Sequence, residues 1–598
     1  MELAYLDWGI IIAFFVLSLA VGLWFSRNAG GNTTDFFLSG RNMPWWLLGV
    51  SMVATTFSAD TPNLVTDLVR QNGVAGNWGW GAFLLTGMLT VFVYAKLWRR
   101  SRVMTDIEFY ELRYSGKPAA FLRGFRALYL GLIFNTLVMG AVSLAAVKFG
   151  EVMLGIPGWA TLLIAGSITL AYSTLGGLKA VIVTDFVQFG IAMIGSFWAA
   201  AYLIGLPEVG GLSNLLSHVN VAGKIDLLPD FGNPDVWVPV LLVPIAVQWW
   251  ASYYPGSEPG GGGYIAQRMF SAKDERNAIG ATLFFNAAHY ALRPWPWILI
   301  ALASLVVFPE LSDIQTAFPN LSADKLGHDV AYPAMLTKLP PGLLGLVAAS
   351  LIAAFMSTIS TQLNLGASYL VNDFYQRFFR PDASQQQLVW AGRLFTVLTT
   401  VIGLSLGLVL TSAKQAFDLL LLLGGGTGLI YILRWFWWKI NAYTEIIAMV
   451  SSLVIAGYLT FVHDGMGFFP LVGWEKTVTG AVLTTLVWMV ATYITPPDAD
   501  ATLRRFYRLI KPGGHGWDAV IDKANAEGDP IKKEVGQLPL EILCTVIGCI
   551  TVYAALFAVG SWLYGRFMPA TLLTVITVAG GWFLFWAWEK LRTQQEPL

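Results

Sequence analysis

The chain has 598 residues, 56% of them hydrophobic and 12% charged, with a mean hydropathy of +0.60 and a formal net charge of zero. That much apolar material exceeds what a soluble core of this size needs, so the composition excludes a water-soluble globular chain and points to an integral membrane protein. Net charge says little about partners, but the sequence contains no nucleic-acid module and no G-x-x-x-x-G-K-[ST] phosphate loop, so neither nucleic acid nor ATP is expected.

Apolar runs of roughly 18 to 25 residues recur along the chain and predict about fifteen spans. The first, near 6–26, lacks a basic start and an A-x-A cleavage site and reads as a retained helix instead of a signal peptide. Five spans follow, near 44–69, 76–98, 123–149, 158–175 and 181–205. A second five lie near 235–254, 278–308, 341–373, 389–411 and 416–438, and four trail near 442–463, 474–495, 540–563 and 569–591. The expected divisions are therefore 1–43, 44–205, 206–234, 235–438, 439–495, 496–538 and 539–598.

Position of charge matters more than its sum. Arg99, Arg100, Arg102, Arg113, Lys117 and Arg123 crowd one connection, and Arg504, Arg505, Arg508, Lys511, Lys532 and Lys533 crowd another. Both are expected in the cytoplasm, together with the stretches holding Arg268, Lys273 and Arg276, Arg377 and Arg380, and Arg434 and Lys439. The long connections near 206–234 and 309–338 then lie outside, as does the N-terminus, with the C-terminus inside. Tryptophans such as Trp45, Trp46, Trp435, Trp437, Trp438, Trp582, Trp586 and Trp588 read as headgroup anchors. The only two cysteines, Cys544 and Cys549, read as packing residues. Arg504–Lys511 could lie on the inner membrane surface as an amphipathic helix, with a solvated loop as the equal alternative.

The first span of each group of five is interrupted. Thr55, Thr56, Ser58, Asp60, Thr61 and Pro62 place polar side chains and a helix breaker mid-span, and Ser252–Gly262 carries Pro255, Pro259 and a run of glycines that cannot continue as a plain helix. Broken helices at matching places in two halves point to a secondary transporter with inverted repeats, whose freed backbone groups line a site at mid-membrane; kinked structural helices are the alternative. Within the span near 341–373, Ala354, Ser357, Thr358 and Thr361 share one helix face with Ser360 at its edge. Such oxygens suit a hard, dehydrated cation, and helix packing is the competing reading.

Four stretches carry a resemblance: Gly40–Trp46 leading to Ser58-Ala59-Asp60, Tyr172–Val181 ending in Thr184-Asp185, Gly263–Arg268, and Ala353 through Asn364 to Asn372-Asp373. In these, from about residue 5 to about 440, the sequence resembles the solute:sodium symporters. The resemblance implies an all-α polytopic membrane protein, a LeuT-like bundle of five plus five inverted-repeat helices with one leading and about four trailing helices. It implies no enzyme, a sodium gradient as the driving force, and a small polar organic solute imported by alternating access, most often a sugar or polyol. A proton-coupled carrier of the same fold and a transporter-like membrane sensor remain the rival readings.

Carried over residue by residue, the family's sodium site falls on the backbone carbonyls of Ala54, Phe57 and Ala354 with the hydroxyls of Ser357 and Thr358. Neutral oxygens of this kind can replace a hydration shell. A second sodium site found in some members matches Asp185, Ser357, Ser360 and Thr361; one sodium ion is the expectation, with two left open. Asp185 alternatively forms an ion pair within its span, with Lys179 as a candidate. The solute cavity is implied near Thr56, Ser58, Asp60, Thr61, Asn77, Gln248 and His289. Asp60 suits a cationic or polyhydroxyl solute or a buried hydrogen-bond partner, and His289, an imidazole with an ordinary pKa of roughly 6.5, is either a switch or a structural donor. Gln248 with Trp249 and Trp250 resembles an amide and aromatic platform. Thr56, Thr61 and His289 stand where galactose transporters hold Asn, Gln and Lys, and only leucines surround Leu420, so galactose specificity does not carry over. The oligomeric state is not legible.

Overall fold

In a bilayer every backbone N–H and C=O must find a partner within the protein, and a chain of long apolar runs meets that demand by forming helices. The computed structural model describes residues 3–26, 32–319, 321, 323–410, 426–466, 469–533 and 537–592. Among the described residues there is no strand, only an isolated bridge between Met43 and Ala272. Ten helices are long and apolar enough to cross a membrane, and four shorter apolar helices, Tyr5–Val21, Trp45–Thr56, Gly158–Ala171 and Ala442–Gly457, account for further expected spans. The span expected near 416–438 falls partly outside the described residues, as does Leu420.

Helix α1 (Tyr5–Ser26) leads. The first group of five comprises the broken pair α2 (Trp45–Thr56) and α3 (Asp60–Asn72), then α4 (Val74–Ser101), α5 (Gly116–Met153) and α6 (Gly158–Ile204). Two expected spans lie within α6, which kinks at Gly177; its positive φ of 58° and its closeness to the Phe36 carbonyl leave no room for a side chain. The second group comprises the broken pair α7 (Pro234–Ala251) and α8 (Gly263–Ser271), then α9 (Glu275–Val307), α10 (Leu343–Phe379), α11 (Gln385–Gly407) and the short α12 (Gly428–Leu433). Helices α13 (Ala442–Gly457) and α14 (Gly473–Ile494) follow, then the short α15 (Asp500–Ile510) and α16 (Asp518–Ala526), and finally α17 (Leu538–Leu563) and α18 (Phe567–Arg592).

The core lies where α6 packs along α10, with α1 against both. Asp7 fastens α1 by accepting from the Gly342 and Gly345 N–H groups at 2.7 Å each, which satisfies free donors at the start of α10. The basic connections meet at one end of the bundle. Arg123 bridges Glu111 and Asp373 at 2.8 Å each, Arg377 joins Glu111 at 2.8 Å, and Arg100 pairs with Glu275 at 2.9 Å. At the opposite end Lys148 pairs with Asp329 at 2.7 Å, and Arg70 donates to the Ser304 and Phe308 carbonyls.

Three expectations change. Helix α15 buries Leu503, Phe506, Tyr507 and Ile510 against the protein, not against lipid: Phe506 stacks on Trp517 at 5.4 Å and meets Phe109 at 5.7 Å. Trp435 is fully buried beside Trp98 and Phe109, so it is core and not an anchor. Arg268, grouped by sequence with a cytoplasmic stretch, is fully buried in the interior.

Candidate sodium and solute sites

Helix α2 ends at Thr56 because Phe57 turns extended (φ −94°, ψ 91°), which releases carbonyls from the regular ladder. Pro62, in the first turn of α3, has no N–H to lose and suits a restart there. Thr56 Oγ1 donates back to the Met52 and Val53 carbonyls at 3.0 and 2.9 Å, a local bond that competes with continuing the helix.

Helix α10 brings its hydroxyl face to this break. Thr358 Oγ1 donates to the Thr55 carbonyl at 2.8 Å, and the Thr55 and Thr361 hydroxyls stand 3.1 Å apart. Ser357 Oγ donates to Asp185 Oδ1 at 2.6 Å. A hydroxyl has a single hydrogen, so Ser357 and Thr358, with theirs committed, present lone pairs in their remaining directions, the form in which oxygen holds a cation. Ala54, Phe57, Ala354, Ser357 and Thr358 are all buried where α2 ends against α10. Among the described residues no three His, Cys, Asp or Glu side chains gather as a metal site; the oxygens of this set are backbone carbonyls and hydroxyls, which are neutral.

The set matched to a second sodium differs in having a cation of its own. The Arg268 guanidinium lies 3.6 Å from Asp185 Oδ2, donates to Thr361 Oγ1 at 2.7 Å, and reaches the hydroxyls of Ser51 at 3.2 Å and Thr55 at 3.3 Å. Ser51 Oγ donates to the same Asp185 Oδ2 at 2.5 Å. Ser360 turns away and donates to the Ser357 carbonyl of its own helix at 3.0 Å. The partner of Asp185 is therefore Arg268, not Lys179: the kink at Gly177 lies just before Lys179, and α8 carries Arg268 to the far side of the carboxylate.

Between the two broken helices lies a cavity of about 770 Å³, counting its mouth. Thr56, Ser58, Asp60 and Thr61 from the first break line it, with Tyr254 and Tyr264 from the second. Helix α9 contributes His289 and Arg293, and Thr358 reaches its floor from the sodium side. Ser58 Oγ donates to Asp60 Oδ1, and His289 Nδ1 lies 3.1 Å from Thr56 Oγ1. Trp80 stacks on Tyr290 at 5.8 Å and Phe83 on Tyr254 at 5.3 Å, so paired rings wall the cavity.

Two sequence candidates are not on its walls. Asn77 donates to the Val74 carbonyl at 3.0 Å, accepts from Trp80 Nε1 at 2.9 Å, and lines a neighbouring apolar pocket of about 430 Å³. Gln248 donates to the Gly79 carbonyl at 2.5 Å, tying α7 to α4. Both amides are consumed by the backbone at the start of α4. Sequence reasoning missed Arg293, Tyr254, Tyr264 and Tyr290. Arg293 had a signal, since an arginine within a span is costly and marks a site by default.

A family model described as the Sodium:solute symporter family matches residues 36–454. The sodium/glucose cotransporter of Vibrio parahaemolyticus is 28% identical over 486 residues, which cover 78% of this chain and 87% of that one. A sodium/mannose cotransporter of Bos taurus is 26% identical over 502 residues, 77% of this chain and 80% of that one. Among solved structures, a Na+-coupled sialic acid symporter in a substrate-bound outward-open state matches with a TM-score of 0.64 at 17% identity, covering 83% of this chain and 99% of that one, and so shares the fold. The expected LeuT-like architecture is therefore established, the protein is a multi-pass transporter and not an enzyme, and sodium is its coupling ion. With more than half of its length matched by the family model, the chain belongs to the sodium:solute symporter family.

Proposed function

We propose that the protein uses an inward sodium gradient to import a small polyhydroxylated solute, a sugar or polyol, by alternating access. The observation that carries this reading is that two adjacent residues serve two sites: the Thr55 carbonyl accepts from Thr358 beside the sodium oxygens, while Thr56 Oγ1 meets His289 on the solute wall. One sodium ion, held by Ala54, Phe57, Ala354, Ser357 and Thr358, would draw the end of α2 against α10 and thereby fix the solute wall. For coupling, sodium must bind the outward-facing and inward-facing arrangements unequally, since equal affinity shifts nothing. Asp185 and Thr361 serve on this reading as the seat of Arg268, while Ser360 bonds within its own helix.

The stacked ring pairs and the hydroxyl-rich wall support a sugar or polyol, as do the relatives named for glucose and mannose. The gathering of basic connections at one end of the bundle supports a cytoplasmic location for that end, with the N-terminus outside, the C-terminus inside and the plasma membrane as the site of action. The test is a thermal-shift screen of purified protein against sugars and polyols in sodium and in choline. A solute that protects only in sodium is the expected result. Protection that is equal in choline across pH would overturn sodium coupling in favour of a proton-coupled or uncoupled carrier.

A further inference from the structure

We infer that the transported solute is a sugar acid, with a carboxylate held by Arg293 and hydroxyls held on the Asp60 side of the cavity. This rests on the sugar reading above and narrows it.

Several buried cations meet a carboxylate, and Arg70 meets backbone carbonyls instead. Buried Arg268 meets Asp185, Arg434 meets Glu445 at 3.3 Å, Lys148 meets Asp329 at 2.7 Å and Arg123 meets Asp373 at 2.8 Å. Arg293 is 2% exposed, lines the solute cavity and has no carboxylate within ion-pair reach among the described residues. Its polar contacts are long and neutral: Thr56 Oγ1 at 3.3 Å and His289 Nε2 at 3.3 Å, with the guanidinium over the Trp297 ring at 5.2 Å. Its Nε is buried with no hydrogen-bond partner among the described residues. An uncompensated buried charge is among the costliest features a folded chain can keep, so a ligand that supplies the missing anion explains its presence.

Neither nearby carboxylate, Asp60 nor Glu258, forms an ion pair with Arg293. Asp60 accepts from Ser58 Oγ and stands in the first turn of α3, where the positive helix end offsets its charge. Glu258, in the segment joining α7 to α8, is buried, and among the described residues its Oε2 has no hydrogen-bond partner. On the other side of that segment, a smaller pocket of about 270 Å³ is lined by Asp106, Arg434 and Arg126; Arg126 is buried, has no carboxylate within ion-pair reach among the described residues, and meets the Tyr110 hydroxyl at 3.1 Å and the Tyr253 and Tyr431 rings. Two guanidiniums with no carboxylate in ion-pair contact among the described residues, one on each side of the segment between the broken helices, are placed to receive an anionic group.

The test uses unmodified full-length protein in sodium buffer and compares glucuronate and galacturonate with the parent hexoses and with the uronate methyl esters, which keep the shape and lose the charge. Thermal protection by an acid, at concentrations at least about tenfold below those needed for its ester, is the expected result. Arg293→Gln should remove that preference, and Arg293→Lys should keep part of it, each variant checked for an unchanged unliganded melting profile. Protection by hexose or ester equal to or better than that by the acid would overturn the sugar-acid inference and leave the sugar symporter standing. Absence of sodium-dependent protection by any of them would overturn both.

Discussion

Removing the guanidinium of Arg268 should destabilise the bundle more than removing any single hydroxyl around it. Arg268 and Asp185 are both fully buried and 3.6 Å apart. In Arg268→Met the carboxylate keeps two hydroxyl donors, Ser51 and Ser357, and loses its guanidinium counter-charge. Breaking a buried pair from one side costs about 3–5 kcal/mol. Asp185→Asn leaves Arg268 the oxygens of Thr361 and Gln267, at 2.7 and 3.1 Å, so its cost should sit near the lower end, about 3 kcal/mol. With both changes made no net charge is buried, and the combined loss should fall below that of Arg268→Met alone, giving a coupling of at least about 3 kcal/mol. Thermal unfolding followed by tryptophan fluorescence in detergent, on the two single variants and the double, measures this. Losses that simply add would refute the claim that these two charges neutralise one another.

Further outcomes follow from other contacts. Asp7→Ala removes the carboxylate that caps α10 and should cost about 0.5–2 kcal/mol, read as a lower melting temperature and faster proteolysis of the N-terminal helix. Phe506→Ala should cost about 3–5 kcal/mol by emptying the contact of α15 with Trp517 and Phe109, and unchanged unfolding would mean that α15 is not docked. His289→Asn should weaken solute protection while leaving the sodium titration within about twofold, because the imidazole touches only the solute side of Thr56. Burial pushes the Glu111 carboxyl up, but hydrogen bonds and charge from Arg377 and Arg123 together outweigh it and hold the group below its ordinary value. Its contribution is thus complete above the unfolded pKa of about 4.3 and fades as pH falls through the lower folded value, so the stability gap between wild type and Glu111→Gln should be flat above about pH 5 and close in stronger acid. A gap that widens on acidification would contradict it.

Spans were legible because a bilayer demands length, and length of apolar sequence is visible residue by residue. Both breaks were legible too, since Pro62 and the Pro255–Gly262 stretch cannot be ordinary helix. The hydroxyl face of α10 was readable from helical periodicity, and α2 does end against it. What failed was whatever depended on tertiary register. Asn77 and Gln248 were placed by analogy with the family, and both turned out to bond at the start of α4. Arg268 looked like a loop charge because sequence alone cannot tell a helix that starts at mid-membrane from one that starts at the surface. The tyrosines of the solute wall gave no signal, because isolated aromatic residues in a hydrophobic chain are ordinary.

The most direct test of the account is a sodium titration of thermal stability in the absence of solute, comparing wild type with Thr358→Ala and Thr358→Ser. Loss of one charge-bearing oxygen contact amounts to about 1.5–3 kcal/mol, so Thr358→Ala should raise the sodium concentration for half-maximal protection by roughly 10- to 150-fold. Thr358→Ser, which keeps the oxygen, should stay close to wild type. An unchanged sodium midpoint in a well-folded Thr358→Ala protein would place the ion elsewhere and contradict the site between α2 and α10.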